Sequence, residues 1–120
     1  MISLDTHVLV RALMGTVNRK EKMLLSSHPW SVSSIVLWEI ARLVQLGRVE
    51  MDLNDAGFKR ILSAITCWPL DLDVCVRSTR LDFQGDPADE LIAATAIVHN
   101  VPLLTRDRAI RRSKLVPFAG

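Results

Sequence analysis

Short apolar runs that stop at an acidic residue, each handing over at once to a helical pattern, constrain this chain more than any other feature. Met1–Leu4 ends abruptly at Asp5-Thr6, and Leu103-Leu104 leads through Thr105-Arg106 to Asp107. Runs this short are strand length, and strands that alternate with helices form parallel sheets, because a parallel pair needs a crossover between its members. From Val8 to Leu13 the pattern turns helical; Gly15 is a stop, and Asn18 is placed to cap a second helix through Leu25. Trp30–Val32 is predicted as the second strand, bounded by Pro29 and by Ser33 and Ser34. Either serine can cap the next helix, which runs through Leu37–Ile40 to Leu46 and stops at Gly47.

The remainder continues the alternation. Leu53 to Ile65 reads as an amphipathic helix with Asn54 or Asp55 near its start and Phe58, Ile61, Leu62 and Ile65 inward. Trp68-Pro69-Leu70 is a connector or edge strand, since proline cannot donate to a central ladder. Asp73–Leu81 is a further helix, Gly85–Asp89 a sharp boundary, and Leu91–Val98 a strongly apolar helix closed by Asn100. Val101–Leu104 is a strand, Ala109-Ile110 begins a short basic helix, and Val116–Phe118 offers a last edge strand. The expected fold class is α/β, a parallel βαβ sheet covered on both faces.

At 120 residues the chain is expected to form one domain, residues 1–120, large enough for a hydrophobic core. Its net charge of +2 excludes a polybasic clamp, so charge distribution carries more information than the total. Arg106, Arg108, Arg111, Arg112 and Lys114 crowd the last stretch beside Asp107, and Arg19, Lys20 and Lys22 form a smaller group. No apolar stretch approaches the roughly 20 residues needed to span a bilayer. With no secretory leader in the sequence, the cytoplasm is the expected compartment. Cys67 and Cys75 fit no zinc spacing and read as packing residues, as do Trp30, Trp38 and Trp68.

Four carboxylates stand where a soluble domain rarely wants them. Asp5 and Asp107 follow apolar strands, and ligands of open α/β sheets bind outside the carboxyl ends of strands. The plainer reading is that each caps the helix that follows. Glu39 has Ile35, Val36 and Leu43 among its helical neighbours, so it loses hydration unless compensated, whether by Arg42 or by a bound cation. Asp86-Pro87-Ala88-Asp89 is a good helix start, in which Asp86 caps and Asp89 is left to enter a cleft. Converging carboxylates repel one another, which favours a divalent cation between them and points to magnesium-dependent phosphoryl-transfer chemistry.

Leu4-Asp5-Thr6-His7-Val8-Leu9, Ser33–Ile40, Asp86–Ala94 and Leu103-Leu104-Thr105-Arg106-Asp107, taken together and in this order, resemble PIN-domain ribonucleases. The likeness is nearest to VapC-type toxins of bacterial type II toxin–antitoxin pairs. The resemblance implies a three-layer α/β/α fold with a small, mainly parallel sheet. It implies a magnesium or manganese site at Asp5, Glu39, Asp89 and Asp107, with Thr6 and Thr105 orienting the carboxylates. Activity would be endoribonucleolytic, on transfer or ribosomal RNA, with Arg106, Arg108, Arg111 and Arg112 contacting the RNA. The implied partners are a second copy of the chain and a small antitoxin docking in an apolar groove between the early helices; no membrane is implied. Such toxins often carry a histidine before the Asp-Pro turn, where Gln84-Gly85 stands here, and the segment before Glu39 is short.

Three rival readings remain at this level, one of them a DNA- or flap-type nuclease of the same fold, which would carry more acids and strand-threading insertions than 120 residues accommodate. A catalytically silent interaction domain of the same fold would be expected to have lost pocket acids. A phosphoacceptor signalling module would want an acidic pair after the first strand, where Ser3 and Leu4 precede a lone Asp5.

Overall fold

The computed structural model describes residues 1–120. In chain order the elements are β1 (Ile2–Leu4), α1 (Thr6–Met14), α2 (Arg19–Ser27), β2 (Trp30–Ser33), α3 (Ser34–Gln45) and α4 (Ala56–Ser63). They continue with β3 (Thr66–Trp68), α5 (Leu72–Ser78), α6 (Pro87–His99), β4 (Leu103–Leu104) and α7 (Arg108–Arg111). All strand pairs are parallel, in the order β3-β2-β1-β4, and helices flank the sheet in an α/β/α arrangement.

That order explains where a ligand crevice must lie. From β1 the chain moves outward through β2 to β3, then returns across the sheet to place β4 on the other side of β1. The strand order therefore reverses between β1 and β4, where Ser3 is paired with Leu103 and Leu4 with Leu104. Such reversals open a crevice past the carboxyl ends of the two strands. Asp5 and Thr105 are the residues that follow those ends directly.

Local chemistry fixes most boundaries. Gly15 ends α1 in the left-handed region at φ 73°, and Asn18 with Glu21 completes a reciprocal capping box on α2. The core is built from Ile2, Leu4, Val8, Leu9, Val32, Val36, Ile40, Ile92, Leu103 and Ile110, all essentially inaccessible to solvent. Helix α6 meets the rest of the protein through the buried Ala88, Ala93, Ala94 and Ala96, whose small side chains let it approach α3, α5 and β2 closely. Fully burying one of the larger aliphatic side chains stabilises the fold by about 1.5–3 kcal/mol.

Several sequence expectations are corrected. The helix expected over Leu53–Ile65 is only Ala56–Ser63, capped by Asp55, and Ile65 precedes a strand instead of facing inward from a helix. That strand, Thr66–Trp68, pairs with Ser31–Ser33 and ends just before Pro69, so the proline stops the ladder and does not sit in it. Helix α5 ends at Ser78, short of Leu81, and β4 is trimmed to Leu103–Leu104. In place of a final strand, Phe118 makes one isolated bridge to Leu103. Cys67 and Cys75 are exposed and unpaired, and are not packing residues. Trp38 is 58% exposed, with Arg42 lying over its ring, while Trp30 and Trp68 are only partly buried. No helix is long and apolar enough to cross a membrane.

Candidate active site

Three helices begin at the crevice, and each brings an acid with it. Asp5 is the N-cap of α1, Asp107 the N-cap of α7, and Asp86 stands at the N-cap of α6 with Asp89 in its first turn. The positive ends of the three helix dipoles partly offset the negative charge gathered there. Glu39 comes from the middle of α3. These five carboxylates line one cleft of about 370 Å³ with His7, Val8, Arg11 and Arg106.

The sequence left capping and cleft-facing as alternatives for Asp5 and Asp107; both hold at once. One oxygen of Asp5 accepts the Thr6 amide at 2.7 Å and the other accepts the Thr105 hydroxyl at 2.5 Å. The Asp107 Oδ1 accepts the Ile110 amide at 2.9 Å, and the Asp107 amide donates to the Thr105 oxygen at 3.0 Å. Thr105 thus ties Asp5 to the segment carrying Asp107. The Thr6 hydroxyl donates to Glu39 Oε1, joining α1 to α3. Arg42, the sequence candidate for pairing with Glu39, instead donates to Gln45.

Asp86 departs from expectation. It occupies the cap position of α6, yet its side chain makes no capping hydrogen bond and lines the cleft. Asp89 also has no hydrogen-bond donor, and this is where the electrostatic cost collects. Burial comes first, followed by the charges of Asp5, Asp107, Glu39 and Asp86, and together they push Asp89 up to about 7. Burial also raises Asp5, against the pull of its Thr105 and Thr6 hydrogen bonds, and raises Glu39 against its bond from Thr6. Asp5 is only 4% exposed, whereas Glu39, Asp89 and Asp107 are half-buried.

The basic residues have different partners. Arg106 donates twice to Glu21, from Nε at 2.7 Å and Nη2 at 2.5 Å, holding that buried carboxyl below the usual range. Arg111 donates to the Thr105 carbonyl at 3.1 Å and the Gly120 carbonyl at 2.9 Å and lies over the Phe118 ring. Its guanidinium thereby ties the C-terminal segment to the residues that follow β4. Arg108 and Arg112 are exposed and outside the cleft lining. Of the basic group, then, only Arg106 reaches the cleft. Sequence reasoning missed His7 and Arg11, although their spacing of four residues after Asp5-Thr6 marks one face of α1.

The donor set suits a hard divalent cation: carboxylate oxygens gathered in one cleft, one of which, on Asp89, resists ionising because it is partly buried and faces the charges of its acidic neighbours. No three of the chain's His, Cys, Asp and Glu side chains are arranged to enclose an ion as they stand. Magnesium fits such an open set, because it keeps most of its waters and takes only one or two carboxylates directly.

The family model described as "PIN domain" matches residues 2–114. The sequence is 31% identical over 84 residues to Ribonuclease VapC22 of Mycobacterium tuberculosis, a stretch covering 68% of this chain and 65% of that relative. The chain therefore spans just under two thirds of that relative's length. Among solved structures, FitAcB from Neisseria gonorrhoeae superposes with a TM-score of 0.73 at 24% identity, covering 99% of this chain and 97% of that one. VapBC2 from Rickettsia felis, bound to a DNA fragment from their promoter, gives 0.70 at 20% identity, with 99% and 98% covered. A toxin-antitoxin complex from Klebsiella pneumoniae gives 0.69 at 22% identity, with 89% and 87% covered. At these identities the structural likeness is one of fold.

Proposed function

This chain belongs to the PIN domain family, and from that premise we propose that it is a magnesium- or manganese-dependent endoribonuclease, the toxin of a toxin–antitoxin pair. The observation that carries the reading is the convergence of Asp5, Glu39, Asp86, Asp89 and Asp107 on one cleft at the sheet's switch point. The similarity to a ribonuclease of the VapC group supports the reaction, and the likeness to structures of toxin–antitoxin complexes supports the partner.

In this reading Asp5, Glu39, Asp89 and Asp107 hold the metal, and Asp86 adds negative charge beside them. A bound metal would supply a water of lowered pKa and positive charge opposite the phosphate. The protein's own contribution is orientation. Thr105 fixes Asp5, Thr6 fixes Glu39, and the Ile110 amide fixes one oxygen of Asp107 while leaving the other free. Arg106 lines the cleft with its charge largely offset by Glu21, and adds only a residual field toward the RNA backbone. Arg108 and Arg112 add a more distant field, and Arg111 keeps the α7 segment in place. Transfer and ribosomal RNAs are the proposed substrate class.

An antitoxin has a place to dock. Ala12, Val17, Leu25 and Trp30 line an apolar groove between α1 and α2, close to the helix that carries Asp5 at its cap. A second copy of the chain completes the proposed assembly, and the cytoplasm is its proposed compartment. The silent-domain alternative is disfavoured by the full acidic set.

The test is cleavage of a panel of transfer and ribosomal RNAs with magnesium, with manganese and with EDTA, wild type beside Asp5→Asn. Metal-dependent cuts that fall by at least about a hundredfold in Asp5→Asn are expected. Full activity in that variant, or equal cleavage in EDTA, would rule the proposal out.

A further inference from the structure

One guanidinium in the cleft, that of Arg11, makes no hydrogen bond or ion pair inside the protein, though its charge is felt by Glu21. Arg11 follows His7 by four residues in α1, so both side chains leave the same face of the helix one turn apart. Both are exposed and both line the cleft. The other cleft guanidinium, Arg106, is taken up by Glu21 in the chain's only ion pair. Arg111 is tied to two backbone carbonyls, and Arg108 and Arg112 lie outside the cleft lining. A polyanion approaching five carboxylates is repelled unless free donors stand beside them. The face of α1 is where such donors are free.

We propose that His7 and Arg11 form a phosphate-binding ridge for single-stranded RNA, gripping the backbone phosphate next to the one presented to the carboxylates. The strand then runs along α1 and not over the basic helix α7. An arginine suits this task because its planar fork donates to two phosphate oxygens at once, and an imidazole N–H adds one further donor a turn away. The inference rests on the ribonuclease reading for the position of the scissile phosphate. It differs from that reading in naming which residues guide the strand. A merely structural role for Arg11 is available, since a cation in the last turn of α1 favours the helix dipole. Binding of RNA separates the two.

The probe is a mixed-sequence single-stranded RNA with a fluorescent end, bound to the full chain carrying Asp5→Asn so that it stays uncut, in magnesium and over a range of salt. Adding Arg11→Ala is expected to weaken binding about tenfold. It should also reduce the slope of log affinity against log salt by about one. Arg11→Lys is expected to keep the slope and recover part of the affinity. Arg112→Ala should lose less than Arg11→Ala. Arg77→Ala should lose nothing, because that residue lies by Ile97 and Val98 at the far end of α6 from Asp89. An Arg11→Ala curve that overlays its parent, a larger loss from Arg112→Ala, or no binding at all would overturn the ridge. Arg11-dependent binding with no cleavage by the wild type would leave the ridge standing and remove the ribonuclease reading. Cleavage with Arg11-independent binding would do the reverse.

Discussion

Asp5 and Asp89 face the same cleft from different elements and are held in contrary ways. On the β1–β4 side every acid is bound: Asp5 by Thr6 and Thr105, Asp107 by Ile110, and the loop between β4 and α7 by the Arg106–Glu21 pair. On the α6 side Asp86 and Asp89 receive no side-chain hydrogen bond, and Asp89 is pushed up to about 7. One half of the cleft is prebuilt. The other half leaves its two carboxylates without a partner inside the protein. A buried carboxylate with two donors is fixed in place and part of its burial cost is offset, whereas a half-buried one without donors has no such offset.

The largest effect is expected on the bound side. Thr105→Val removes a donor from the buried Asp5 and an acceptor from the Asp107 amide. A loss of about 1–3 kcal/mol is expected, lowering the melting temperature by roughly 5–10 °C, together with RNA cleavage. Thermal unfolding unchanged from wild type would mean that the clamp contributes nothing.

The next effect has the opposite sign and sharpens the contrast. Because the folded-state pKa of Asp89 is raised, its contribution is fully present below about pH 4 and is lost as pH rises through about 7. Without metal, Asp89→Asn should therefore stabilise the protein at about pH 8 and change little at about pH 4. The full shift is discounted because the side chain is half exposed, leaving roughly 1–2 kcal/mol. Denaturant unfolding at the two pH values reads this directly, and equal stability of variant and wild type at the higher pH would mean that burial of Asp89 costs nothing. Smallest is the effect of Glu21→Ala, which frees Arg106 and opens the α2 capping box without entering the cleft. About 1 kcal/mol is expected in the same unfolding assay, with cleavage reduced and not abolished. A variant as inactive as Asp5→Asn would move Glu21 into the reaction itself.

What was legible in the sequence follows the range of the interaction that decides it. The turn at Gly15, the cap at Asn18 and the start of α6 at Asp86-Pro87 are set by neighbours within a few residues, and they read correctly. The placement of Asp5 and Asp107 at the crevice was legible because strand alternation fixes where strand ends gather. The helix expected over Leu53–Ile65 was too long because pairing with β2, which draws Thr66–Trp68 into the sheet, leaves no trace in local periodicity. Glu21 and Arg106 are 85 positions apart, and no pattern within α2 or the last segment announces their contact. The role of Asp86 was hidden by a sound local rule: it sits where a cap sits, but its carboxylate lines the cleft.

The most direct measurement is calorimetric titration of magnesium into the wild type and into Asp89→Asn at about pH 8, where Asp89 is mostly ionised. Saturable binding by the wild type, weakened tenfold or more in a folded Asp89→Asn, is expected if the α6 half of the cleft is the half that calls for a cation. Equal binding by the two proteins, or none by the wild type, would mean that the α6 half of the cleft is not where a cation is held.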